Sequence, residues 1–140
     1  MIRIAIAAPS AVARGGLESL AASHPEWQIV GALPDLAGID DLKPDVILAA
    51  MDLDEFLSAG ADRNLPVVLL TNDPQPVWSA EALRGGVRAL LARDASQREI
   101  LAAVEAAAED LAVVSPADLE TWLPSAARRE IDPADNGTLT

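Results

Sequence analysis

Four short aliphatic runs recur along the chain, Ile2–Ala7, Trp27–Ala32, Val46–Ala50 and Pro66–Thr71, and a weaker fifth follows at Arg88–Ala92. Each has the length of a strand and is almost continuously apolar. That is the pattern of strands covered by helices on both faces, not of strands with one wet face. The segments between them carry helical spacing. In Ser10–Ser23 the apolar positions Ala13, Leu17, Leu20 and Ala21 share one face, although Gly15-Gly16 weakens that helix. A short helix fits around Leu36–Leu42, and Leu53–Ala59 offers about two turns. Val77–Gly85 follows, its start marked by Pro74 and Pro76 and its end by Gly85-Gly86.

The clearest helix signal is Gln97–Leu111. Ser96-x-x-Glu99 forms a capping box, in which two side chains satisfy amides left unpaired at the helix start. Ile100, Leu101, Val104, Ala107, Ala108 and Leu111 make the predicted buried stripe. Ser115-Pro116-Ala117-Asp118 marks a further helix start, with Pro at the first helical position and an acid in the first turn. That helix should stop at Leu123, before Pro124. Ser125–Thr140 is polar, contains Pro133 and Asn136-Gly137, and has the composition of a linker or tail.

Strands alternating with helices predict a doubly wound α/β fold with a five-stranded parallel sheet, helices on both faces and a C-terminal linker helix. In such sheets the working site lies outside the carboxyl ends of the strands. Attention therefore falls on Ala8-Pro9, Ala50-Met51, Thr71 and Arg93.

Composition narrows the chemistry. With 140 residues, 51% of them apolar and 23% charged, the chain has the make-up of one globular domain. It has no cysteine, which excludes a disulfide framework, cysteine zinc sites and thiol catalysis. A single histidine, His24, argues against a histidine metal site. Ten basic against twenty-two acidic residues give a net charge of −12, so the chain should repel nucleic acid and anionic membranes. No apolar run approaches a membrane span, and the N-terminus lacks the features of a secretory signal. The expected location is the cytoplasm.

Taken in order, Met1–Ala7, Pro44-Asp-Val-Ile-Leu48, Val67-Val-Leu-Leu-Thr71, Glu81-Ala-Leu-Arg-Gly-Gly86, Asp94-Ala-Ser96, Ile100–Glu105 and Val114-Ser-Pro116 resemble the receiver domains of bacterial response regulators, of the NarL/FixJ (LuxR-type) branch. The resemblance covers residues 1–123 and is weakest at Leu33–Lys43 and Asp54–Leu65. It implies a flavodoxin-like receiver domain over 1–112, a linker helix over 113–123, and over 124–140 a flexible linker leading to a helix-turn-helix domain absent from this chain. Gly137-Thr-Leu-Thr140 resembles the lead-in to such a domain, to which DNA binding would belong.

The family's chemistry is phosphoryl transfer to a strand-end aspartate. Magnesium is held by that aspartate and an acidic pair, a lysine neutralises developing charge, and a hydroxyl senses the product. Carried over by position, the acidic pair falls on Ala8 and Pro9 and the acceptor on Ala50. Thr71 keeps the hydroxyl, Arg93 replaces the lysine with a planar cation, and Leu90 takes the aromatic switch position. The resemblance thus implies a degenerate receiver: not an enzyme, with no cofactor, metal or phosphoacceptor. Its expected role is that of a regulatory module of a two-component transcription factor, acting through dimerisation, a partner protein or a small-molecule ligand. A homodimer is expected, and a sensor kinase is a further candidate partner.

The alternatives are a stand-alone receiver-fold adaptor, or a phosphorylatable receiver that presents Asp52, two residues past Ala50 and on the same face. Against the latter, Asp52 reads as part of a solvated acidic loop at the start of a short helix. Arg93 is placed either to pair with Asp52 or Asp73 or to face solvent. Thr71 reads as a strand-end hydroxyl bonded nearby, and His24 as a surface turn residue. Trp78 reads as packing on its own helix or as a partner anchor, Trp27 as core and Trp122 as linker-helix packing.

Overall fold

An aliphatic strand with no polar face must be sandwiched, and five such strands pair here into one parallel sheet in the order β2-β1-β3-β4-β5. The computed structural model describes residues 1–59, 64–72, 78–116 and 119–120. The strands are β1 (Ile2–Ala7), β2 (Trp27–Leu33), β3 (Val46–Ala50), β4 (Val67–Thr71) and β5 (Val87–Ala92). The helices are α1 (Ala11–Ala22), α2 (Leu53–Ser58), α3 (Ala80–Arg84) and α4 (Gln97–Ala108), with a single 3₁₀ turn at Ile39–Leu42. The predicted fold class is the observed one.

Because successive strand residues point to opposite faces, the sheet builds two cores. Ile4, Ile6, Val46, Leu48, Val68 and Leu70 pack with Leu17 and Ala21 of α1 and with Ile100, Ala103, Val104 and Ala107 of α4. The intervening Ala5, Ala7, Ile47, Ala49, Val67 and Leu69 pack with Ile39, Phe56, Trp78 and Ala82 on the other face. Ser10 caps α1, its hydroxyl accepting from the Ala13 amide at 3.2 Å. The helix forms across Gly15 and Gly16, which both face solvent. Burial of Leu17 and Ala21 offsets their propensity cost of about 1 kcal/mol each. Gly31 answers to packing instead: it sits at a register irregularity between β1 and β2, and a Cβ there would meet Leu42 Cδ1 at 2.6 Å.

Three helix boundaries differ from the sequence-based expectation. The helix expected at Leu36–Leu42 is only the 3₁₀ turn. Gly38 adopts φ 77° immediately before it, and Asp35 Oδ1 accepts from the Ala37 amide in a local turn. Helix α3 begins not at the prolines but after Ser79, whose hydroxyl accepts from the Ala82 amide. Helix α4 stops at Ala108 rather than Leu111. Asp110 takes φ 60°, its amide donates to Ala107, and the Leu111 amide donates to Ala106, closing the helix in a Schellman turn. Arg88 Nε holds the Asp110 carboxylate at 2.9 Å. Leu111, expected in the buried stripe, is 59% exposed, and Ala103 is buried instead.

The capping box of α4 is present in both directions. The Ser96 amide donates to Glu99 Oε1 at 2.9 Å, and the Glu99 amide donates to the Ser96 hydroxyl at 3.1 Å. The backbone hydrogen bond, and then the hydroxyl, hold the Glu99 carboxyl below its ordinary range. A carboxyl lowered in the folded state stabilises above its unfolded pKa, and that stabilisation is lost as pH falls through the folded value. Titration of the Glu99 carboxyl by NMR should show the depressed midpoint, and Ser96→Ala should return it toward the ordinary value.

Beyond α4 the chain returns to the sheet. The Val113 amide donates to the Arg88 carbonyl at 2.7 Å, and Val113 and Val114 pack against the two cores. The Leu119 amide donates to the Ser115 carbonyl, a helical bond following the Ser115-Pro116 start signal. Trp122, the helix end at Leu123, Asp73 and the stretch 121–140 lie outside the described residues. Among the described residues no helix is long and apolar enough to cross a membrane.

Candidate functional site

In this strand order the connections from β1 and β3 leave to opposite faces, opening the crevice of the fold at their carboxyl ends. Ala8, Pro9, Ala50, Thr71 and Arg93 all stand along that edge. Ala8 is fully buried, its amide donating to the Leu33 carbonyl at 2.9 Å, while Pro9 is exposed. Ala50 ends β3 opposite Leu70, is 2% exposed, and belongs to the core under α1 and α4.

Asp52 is not a loosely solvated loop residue. It occupies the N-cap of α2, and its amide donates to Glu55 Oε1 at 3.3 Å in a second capping box. Its carboxylate also reaches across to the next strand. Oδ1 accepts from the Thr71 hydroxyl at 2.9 Å and from the Asn72 amide at 3.0 Å. Thr71 is 1% exposed and is the buried polar side chain among the described residues. The hydroxyl expected to bond nearby backbone thus donates to a carboxylate 19 residues away. A short strand end followed directly by an N-cap explains the placement: Met51 turns inward and Asp52 is carried over the end of β4.

Arg93 does not pair with Asp52. Its amide donates to the Thr71 carbonyl at 3.1 Å and its Nε to the Leu70 carbonyl at 2.8 Å, laying the exposed side chain along the end of β4. A second guanidinium at this edge was not anticipated. Arg14 Nη1 donates to the Ala8 carbonyl at 2.8 Å and lies 3.4 Å from that of Pro9. The available signal was its position one turn into α1, since helical side chains lean toward the N-terminus and here toward the strand-end loop.

The remaining candidates are structural. His24 Nδ1 accepts from the Glu26 amide, the ring stacks on Trp27 with centroids 4.6 Å apart, and Nε2 lies 3.4 Å from Glu105 of α4. Trp27 is core, as expected. Trp78 is 5% exposed and packs in the core beneath α2 and α3, which rules it out as an exposed anchor. Leu90 is buried on the same face.

A divalent ion finds a poor donor set at this edge. Ala8, Pro9 and Ala50 have no side-chain oxygen, Asp52 already accepts two hydrogen bonds, and a guanidinium occupies the Ala8 carbonyl. Among the described residues no three His, Cys, Asp or Glu side chains cluster for a metal. The residues present do not fit the ion.

Solved structures similar to this chain are response-regulator receiver domains. A LuxR-family two-component response regulator from Aurantimonas sp. SI85-9A1 matches with TM-score 0.72 at 15% identity, over 91% of this chain and 99% of that one. The receiver domain of the putative response regulator NarL from Mycobacterium tuberculosis matches with TM-score 0.62 at 23% identity, over 77% and 96% of the two chains. ChrA, the response regulator of a heme-sensing two-component system, matches with TM-score 0.66 at 20% identity, over 90% of this chain and 66% of its own length. No family model matches the sequence, and no curated protein matches it. At these identities the likeness is one of fold: the chain has the receiver fold of two-component response regulators.

Proposed function

We propose that this chain is the regulatory, signal-receiving domain of an atypical LuxR-type response regulator, and that it works without aspartate phosphorylation. The observation carrying this reading is the edge of β1 and β3. There a receiver fold has Ala8, Pro9 and buried Ala50 in place of oxygen ligands and nucleophile. Phosphoryl transfer needs an in-line nucleophile, a metal and an opposing cation. Only the cations, Arg93 and Arg14, are present in kind. Control then passes through dimerisation, a partner protein or a small ligand, and DNA binding through a helix-turn-helix domain outside this sequence, in the cytoplasm.

The test is intact mass after treatment with acetyl phosphate and magnesium. No added phosphoryl group is expected, and beryllofluoride with magnesium should leave the amide spectrum unchanged. A phosphoryl adduct that disappears in Asp52→Asn would overturn this reading and assign Asp52 as a displaced acceptor.

A further inference from the structure

The hydrogen bonds of Asp52 form a continuous chain along the carboxyl edge of the sheet. The carboxylate receives the Thr71 hydroxyl and the Asn72 amide, and the Thr71 carbonyl receives the Arg93 amide. Arg93 Nε then closes on the Leu70 carbonyl of the same strand. The start of α2 and the end of β4 are thereby tied through the Asp52 side chain, and Arg93 ties the β5–α4 turn to the same strand end. A charged acceptor makes these the stronger class of hydrogen bond, and the Thr71 hydroxyl is shielded from water.

We infer that the Asp52 carboxylate is a built-in anionic ligand that keeps the ends of β4 and β5 in a single state without any added group. This rests on the proposed absence of phosphorylation and deepens it. The two donors at the end of β4, a hydroxyl and a backbone amide, suit an oxyanion, and the chain supplies that oxyanion itself from the N-cap of the neighbouring helix. Asp52 is a positioning residue: it acts through Thr71 and Arg93. A signal reaching this edge must act by separating Asp52 from Thr71, not by delivering a new anion.

The alternative is that Asp52 merely caps α2. Amide hydrogen exchange of the full chain separates the two. Thr71→Val keeps the shape of the side chain and leaves the α2 cap untouched. The inference expects exchange at Asn72 and Arg93 to rise about tenfold or more in this variant, the scale of losing a hydrogen bond to a charged group, with the amides of α2 unchanged. Asp52→Asn retains an acceptor oxygen but loses the charge, and should raise exchange at both sites by more than about twofold but by less than Thr71→Val does. Exchange equal to the parent would show that the anion is not needed and overturn the inference. Asp52→Ala should accelerate Asn72, Arg93 and α2 together. If Thr71→Val leaves Arg93 within about twofold of the parent while folded by circular dichroism, the carboxylate is only a cap and the inference fails. A phosphoryl adduct on Asp52 would instead refute the proposed function, and the exchange pattern of the untreated protein would still decide the latch.

Discussion

Replacing Phe56 by alanine is expected to lower the unfolding free energy by about 3–5 kcal/mol, the usual cost of emptying a buried phenylalanine site. Phe56 is fully buried and is the largest such side chain in the described structure. It is also the buried residue of α2, a helix of six residues. A helix this short cannot hold itself in water, because nucleation costs more than so few hydrogen bonds return. Its attachment therefore depends on Phe56 reaching the core formed by Ile47, Leu69, Trp78 and their neighbours. Thermal melting should show a fall of about 10 °C or more for a domain of this size. A loss below about 1 kcal/mol would mean that this face of the sheet can collapse around the vacancy.

Placing an aspartate at position 50 should not create a working acceptor. Ala50→Asp buries a carboxylate at a strand end that is 2% exposed, inside the core packed by α1 and α4. Ala8 and Pro9 offer no ligands for a neutralising ion, and Arg14 and Arg93 are engaged with main-chain carbonyls. The expected cost is about 2–4 kcal/mol at neutral pH, the range for an imperfectly compensated buried polar group. Burial raises a carboxyl pKa, so the charge part of the penalty is full above the folded pKa and is lost as pH falls below the unfolded value, leaving the smaller cost of a buried neutral carboxyl. Urea unfolding at neutral and acid pH, with and without magnesium, checks this. Stabilisation of the variant by millimolar magnesium would show that the edge can assemble a metal site after all.

The strands were legible because continuous aliphatic runs have few other solutions, and all five lie within a residue of their expected limits. The long helices were legible too, α1 from its shared apolar face and α4 from the Ser96 capping box. Helix ends were less so. Asp110 stops α4 by adopting a left-handed backbone that sequence rules reserve mainly for glycine, so the apolar periodicity ran on to Leu111. At the site, the roster of strand-end residues followed from the pattern, but their partners did not. Arg14 serves the β1 end from within a helix, and Asp52 serves Thr71 across 19 residues of sequence. Both bonds depend on the direction of a side chain in three dimensions, which one-dimensional spacing does not encode.

The two coverings of the sheet are unequal. Among the described residues, α1 and α4, of 12 residues each, lie on one face, and a four-residue 3₁₀ turn, α2 of six and α3 of five lie on the other. Short covers detach at less free-energy cost than long ones, because each carries few hydrogen bonds and here a single buried side chain, Ile39, Phe56 or Ala82. Amide exchange by local opening is therefore expected to be faster in α2 and α3 than in α1, α4 and the sheet. Asp52 stands where the short cover meets the β4 end. A binding partner that captures such an opening would draw on motion the fold already makes beside its carboxyl edge, with no need to deform the sheet.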